Sequence, residues 1–264
     1  MKALAAFALV LLSLQSALAA DRDIAPGGTL RAAYLGSNPA QAVRDSTGAI
    51  RGASADVARE LARRIGVPVE FKPLSNPKAV IDAVTSGDAD IGFIAYAPER
   101  VGTVEFSQAY VMSGQGFLVL EESNIRTTAD VDRAGQKIAG GHADSISLFM
   151  KRKFKHATLS EISHEPAEIK RLLLAKEIDA FGANRQRLAN IVKETPGFRI
   201  LPDNLFGVPQ TIIVPKGKTE VLAAINRFID DVRVSGFLKK SVEASGVAGL
   251  EVAPGGSWTP SVPD

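Results

Sequence analysis

The strongest constraint on this chain is a pattern that occurs twice: an amphipathic helix, a short polar turn, an aspartate and an apolar strand. In the first copy Val84-Thr85-Ser86-Gly87 runs through Asp88-Ala89-Asp90 into Ile91; in the second Leu174-Ala175-Lys176-Glu177 runs through Ile178-Asp179 into Ala180-Phe181. Parallel strands need a crossover between them, usually a helix, and that crossover is right-handed. Repeated alternation of this kind predicts βαβ units on mainly parallel sheets, an α/β fold. The likeness of the two copies fits either an internal repeat or the common grammar of αβ connections.

Hydrophobic spacing places the elements. Residues 30–34 read as a strand and 54–65 as a helix, with Val57, Leu61 and Ile65 on one stripe and Gly66 as its stop. A strand over 67–71 precedes a helix opened by Asn76-Pro77, whose stripe is Val80, Ile81 and Val84, and a strand over 91–94 follows. The second unit has strands at 137–139, 158–162 and 180–182 and helices at 145–154 and 165–175, the latter buried through Ile169, Leu172 and Leu173. An apolar strand over 208–214 ends in Pro215-Lys216-Gly217. Helices over 220–235 and 238–245 follow, and the tail from Ala253, rich in Pro, Gly and Ser, is predicted to be loose. Two αβ units, with a last segment returning to the first, predict two lobes joined by crossing strands.

Composition excludes several chemistries. The 264 residues carry a formal charge of +2, which gives no electrostatic reason to expect a nucleic-acid partner. Cysteine is absent, so disulfides, thiolate metal sites, a cysteine nucleophile and a lipidated cysteine are all excluded. His142, His156 and His164 form no metal motif; His156 and His164 read as surface residues, and His142 sits in a turn before a helix. Gly114-x-Gly116 is misplaced for a nucleotide loop, so no cofactor and no metal are expected. Residues 1–20 read as a cleavable signal peptide: Lys2, an apolar run over 3–14, then Ala17-Leu18-Ala19. Cleavage near Ala20 or Asp21 delivers the chain to the periplasm. No internal stretch reaches the ~20 apolar residues of a membrane span.

A further set of stretches carries a family resemblance: Gly48-x-x-x-Gly52, Asp90-Ile91, Ala97-Pro98-Glu99-Arg100, Val104-Glu105-Phe106-Ser107-Gln108-Ala109-Tyr110, Ile212-Ile213-Val214-Pro215-Lys216-Gly217 and Ser235-Gly236-Phe237. In this order and spacing, from about Gly28 to Gly249, the chain resembles the periplasmic solute-binding proteins of family 3, the polar amino-acid type. The resemblance implies the two-lobed type II periplasmic-binding-protein fold, each lobe a mainly parallel sheet flanked by helices, with two hinge crossings near 110–114 and 206–210. Lobe 1 is expected to comprise residues 21–112 and 209–264, and lobe 2 residues 113–208. A monomer is expected, which captures a small carboxylate solute between its lobes and delivers it to ABC permease subunits without inserting stably in the membrane. The resemblance implies no enzymatic activity. A periplasmic lyase resembling cyclohexadienyl dehydratases and a ligand-sensing partner of a receptor are the alternatives.

In the cleft, Arg100 is expected to grip the carboxylate, because a guanidinium offers a planar fork of charge-assisted donors. The family threonine is replaced by Ala97, and Ala95 falls where a serine often helps hold the carboxylate. Phe93 and Tyr96 either line the pocket or belong to the core. In lobe 2, Gly140-Gly141-His142-Ala143-Asp144-Ser145 opens a helix: Ser145 offers a hydroxyl, and Asp144 either caps the helix or binds a cationic part of the solute. Asn184 stands where amino-acid binders place an aspartate for the α-ammonium. Arg185, next to it, either receives a second anion or is an exposed helix residue. Asn38 and Gln41 replace the aromatic lid, either as readers of hydroxyls and amides or within an Asn-Pro turn.

Overall fold

The structure is a computed structural model that describes residues 23–36, 38, 41–256 and 260. The signal-peptide segment lies outside them. In chain order come β1 (Leu30–Leu35), the short pair β2 (Val43–Arg44) and β3 (Ile50–Arg51), α1 (Ala53–Ile65), β4 (Val69–Leu74), α2 (Pro77–Thr85), β5 (Ile91–Ala95), β6 (Val104–Phe106) and β7 (Val111–Leu120). Then follow β8 (Lys137–Gly141), α3 (Ser145–Lys153), β9 (Thr158–Ile162), α4 (Pro166–Leu174), β10 (Ala180–Asn184), α5 (Arg185–Glu194), β11 (Phe198–Ile200), β12 (Phe206–Pro215), α6 (Thr219–Val234), α7 (Phe237–Ser245) and β13 (Leu250–Val252).

The strands run in the order β4-β1-β5-β12-β7-β10-β8-β9. Strands β4, β1 and β5 are parallel, and so are β10, β8 and β9. Each parallel triplet is one half of the predicted alternation. The link between them is the antiparallel pairing of β7 with β12, from Phe206 opposite Gln115 to Gln210 opposite Val111. Both strands are ten residues long and pass from one half to the other. These are the two crossings of the two-lobed fold.

Both faces of each sheet are covered, so the strands are apolar on alternate and intervening residues alike. In the first half Leu30, Ala32, Ile91, Phe93, Ile212 and Val214 pack toward α1, α6 and α7, while Ala33, Ile94 and Ile213 pack toward α2. In the second half Phe117, Ile138 and Ala180 face α3, and Leu118, Ala139 and Phe181 face α4 and α5.

The repeated aspartate has a structural purpose in both halves. Asp90 Oδ2 accepts from the Arg31 backbone N–H at 2.7 Å, and Asp179 Oδ2 accepts from Lys137 N–H at 2.8 Å. The backbone amides of the two aspartates donate in turn to Arg31 O and Lys137 O at 2.9 and 2.7 Å. Each aspartate therefore pins the start of its own strand to the start of the parallel neighbour, satisfying donors that the ladder leaves open.

Several elements went unread in the sequence: α5, β6, most of β7, β11, β13 and the β2–β3 pair. Helix α5 presents only Leu188, Ile191 and Val192 as an apolar stripe, about one turn of signal. The tail is more firmly held at its start than its composition predicts. Ala253 is buried; its N–H donates to Tyr110 O, and its carbonyl accepts from Arg233 Nε.

Candidate functional site

The carboxyl ends of β1, β5 and β10 and the amino ends of α2, α3 and α5 converge on one small cavity where the two halves meet. Open α/β sheets place ligands at such strand ends. Its walls include Asn38, Gln41, Ala95, Arg100, Asp144, Ser145 and Asn184, together with Ser113, Gln115 and Gln210 from the crossing strands. The space open to the centre of a water-sized sphere is about 30 Å³. No described wall residue is aromatic.

Arg100 ends a short 3-10 turn over Pro98–Arg100 and is only 8% exposed. Its Nη1 donates to Ala95 O at 2.6 Å and its Nη2 to Ala143 O, also at 2.6 Å. One guanidinium thus ties β5 of the first half to the loop before α3 in the second. Burial pushes its pKa down from the ordinary arginine value, opposed by the charges of Asp144 and Glu99. A guanidinium has five N–H donors, so donors remain for an anion.

The loop that meets Arg100 is strained. Ala143 has φ of 53°, the left-handed region that costs a residue with a Cβ about 1–2 kcal/mol. The turn aims the Ala143 carbonyl at Arg100, while the Ala143 N–H donates to Glu161 Oε1. Gly141 is required just before it, since a Cβ there would stand 1.8 Å from His164 Cε1.

Asp144 occupies the N-cap position of α3 but makes no side-chain capping bond. It is ion-paired instead with Arg187 Nη1 at 3.0 Å. The same Nη1 lies 2.8 Å from His164 Nδ1. Arginine can only donate, so Nδ1 is the acceptor and the imidazole is neutral with its proton on Nε2. His164 Nδ1 also lies 3.6 Å from Asp144, but an unprotonated nitrogen makes no salt bridge there. Burial is the main cause holding the His164 pKa below the ordinary imidazole value; the Asp144 charge opposes it and Arg187 adds to it. His164 is largely buried, contrary to the surface position expected for it, because Gly141 lets its ring pack against the β8 backbone.

Asn184 is the N-cap of α5, and both ends of its amide are engaged. Its Oδ1 accepts from Arg187 N–H at 2.9 Å and its Nδ2 donates to Asn38 Oδ1 at 3.0 Å. Gln41 Oε1 accepts from Leu35 N–H, and its Nε2 donates to Gln210 Oε1 at 3.2 Å. Gly52, with φ of 121°, lets the Gln41 backbone cross close by; a Cβ there would meet Gln41 O at 2.7 Å. Gln115 Nε2 turns back to Ser113 O.

Other sequence candidates fall elsewhere. Phe93 is in the core, edge-on to Tyr110 at 5.8 Å, because strand alternation turns it toward α1 and α6 while Ile94 takes the cavity side. Tyr96 packs edge-on to Phe106 at 5.3 Å and is not a wall residue. Arg185 is not among the described wall residues and does not dangle in solvent: its Nη1 donates to Leu201 O, Asp203 O and Asn204 Oδ1. His142 is exposed and not part of the wall.

Four polar groups at the site were missed. Ser113, Gln115 and Gln210 are buried polar residues inside otherwise apolar strands, and that contrast was a usable signal. Arg187 lies one turn before Ile191 on the packed side of α5, a helix that was itself unread.

The fold and cavity define a two-lobed α/β protein that binds a solute between its lobes. Residues 30–244 match the bacterial extracellular solute-binding proteins, family 3, and the chain belongs to that family. It is 24% identical over 217 residues to the L-cystine-binding protein TcyJ of Escherichia coli K12, covering 80% of each chain. It is also 24% identical over 196 residues to the ABC transporter glutamine-binding protein GlnH of Bacillus subtilis, covering 72% of this chain and 71% of that one. Among solved structures, an ancestral arginine-binding protein bound to arginine superimposes with a TM-score of 0.71 at 27% identity, covering 83% of this chain and 98% of that one. An ancestral amino acid-binding protein described as a precursor of cyclohexadienyl dehydratase shares the fold, with a TM-score of 0.70 at 24% identity over 85% and 97% of the two chains. The family is extracytoplasmic and works with ABC transporter permeases. Among the described residues no helix is long and apolar enough to cross a membrane.

Proposed function

We propose that this chain is the periplasmic receptor of an ABC importer, binding a small carboxylate at Arg100 and handing it as a closed complex to permease subunits. The observation that carries this reading is Arg100 itself: a nearly buried guanidinium on the cavity wall, anchored to both halves by Ala95 O and Ala143 O. A carboxylate bound there adds contacts that exist only when the halves are together. Such differential affinity is what shifts a two-state protein toward its closed form. The amino ends of α2, α3 and α5 add partial positive charge at the same place. Lobe 1 is assigned residues 21–112 and 209–264, lobe 2 residues 113–208, with the signal peptide removed and the mature chain monomeric.

The proposal is binding rather than turnover. Asp144, the acidic side chain among the described wall residues, is held by Arg187, and His164 Nδ1 is turned to the same arginine. Neither is presented to the cavity as a proton donor, which a lyase would need. Mass spectrometry of small molecules released from natively purified protein tests the proposal: a carboxylic acid in stoichiometric amount is expected. Release of only uncharged solutes, or saturable binding untouched by Arg100→Ala, refutes it.

A further inference from the structure

The charges around the cavity point to a narrower class of solute, an inference that rests on the reading of the cleft as a carboxylate site. An α-amino acid brings a carboxylate and an ammonium, and burying the full charge of the ammonium requires an anion close to it. Among its described residues the wall offers no acidic side chain that is not already ion-paired. Asp144 is the only acidic side chain among its described residues, and its Oδ2 is 3.0 Å from Arg187 Nη1. At the end of β10, Asn184 supplies a neutral amide whose oxygen is already the acceptor for Arg187 N–H.

Taken together, Arg100 and Arg187 contribute two positive charges against one negative from Asp144, and His164, which accepts from Arg187, is neutral. A monoanion balances that sum, whereas a zwitterion leaves it uncompensated and sets its ammonium among two guanidiniums and the amino ends of three helices. The other polar side chains among the described wall residues are hydroxyls and amides, Asn38, Gln41, Ser113, Gln115, Ser145 and Gln210 beside Asn184, and the remaining lining, Leu35, Pro77, Ile94 and Ala95, is apolar. The hydroxyls and amides both donate and accept, which matches an alcohol. Without a described aromatic wall residue, and with a small cavity, the solute has no large ring to stack.

We infer that the solute is a small, non-aromatic hydroxy acid, with a hydroxyl where an amino acid carries its ammonium. Asn184 bears on the choice, because its amide is neutral and adds no anion for an ammonium at the end of β10.

The test is calorimetric titration of the solute-free protein with matched pairs: lactate and alanine, glycerate and serine, malate and aspartate, 2-hydroxyglutarate and glutamate. In the pairs that bind, the hydroxy member is expected to bind at least tenfold more tightly. Asn184→Asp, which retains a helix-capping oxygen, is expected to reduce that preference by tenfold or more. A preference under tenfold, or one for the amino member, overturns the inference and leaves the carboxylate reading standing. If neither member of any pair binds at millimolar concentration, the inference falls together with the carboxylate reading.

Discussion

Replacing Arg100 by alanine removes a charged side chain that touches both halves and the cavity at once. In the closed protein it forfeits two hydrogen bonds of 2.6 Å, to Ala95 O and Ala143 O, and leaves those carbonyls short of a donor. In the solute complex it also removes the charged fork facing the carboxylate. Hydrogen bonds to charged groups contribute roughly 1.5–3 kcal/mol each. Part of that is returned, because burying the guanidinium was itself costly, as its lowered pKa indicates. A net loss of about 3 kcal/mol corresponds to roughly a hundredfold increase in Kd. Calorimetric titration with the carboxylate recovered from the native protein measures this directly. Arg100→Lys restores the charge but not the planar fork, so it is expected to recover less than a third of the lost free energy. A Kd within threefold of the parent for Arg100→Ala would refute the reasoning, since the bidentate geometry would then contribute almost nothing.

Three other perturbations follow from the same geometry. Arg187→Met leaves Asp144 without its counter-ion and should cost about 3 kcal/mol in urea unfolding, with a large part recovered when Asp144→Asn is added; a double variant no more stable than Arg187→Met contradicts the pairing. Ala143→Gly relieves the left-handed φ of 53° and should stabilise by about 0.5–1 kcal/mol in calorimetry, whereas a loss of stability would show the strain is absent. The unfolded chain protonates His164 near the ordinary value of 6.5, but the folded site, where Asp144, Arg187, His142 and Glu165 surround it, resists protonation. Stability should therefore rise with pH through the interval just below 6.5 and fall on acidification. His164→Gln should flatten that slope in urea midpoints, and an unchanged slope would count against a buried neutral imidazole.

The motifs that made the family recognisable are mostly structural, which is why they were legible. Ser107 Oγ accepts from Ile212 N–H and donates to Gln108 O, building β12 into the first sheet. Tyr110 is fully buried with its hydroxyl 2.6 Å from Ser54 Oγ. Asp90 and Asp179 pin strand starts, and Gly52 clears the way for the Gln41 backbone. Each needs a particular residue at a particular local position, and local requirements leave marks in sequence. The pairing of Asp144 with Arg187 left no such mark. The partners are far apart in the chain, and the arginine lies on a helix with a weak apolar signal.

By itself, then, the sequence determined the αβ alternation, the mainly parallel sheets and the placement of Arg100 in the short loop after β5. Periodicity, turn residues and short hydrogen-bonded devices are all local consequences of residue type. Tertiary structure alone decided which way Phe93 and Ile94 face, that Asp144 answers to Arg187 instead of capping its helix, and that Arg185 clamps a loop. It also brought Ser113, Gln115 and Gln210 from the crossing strands to the cavity wall. The physical reason is that the charge of a binding site is a sum over groups from distant segments. That sum exists only once the chain has closed the cavity around them.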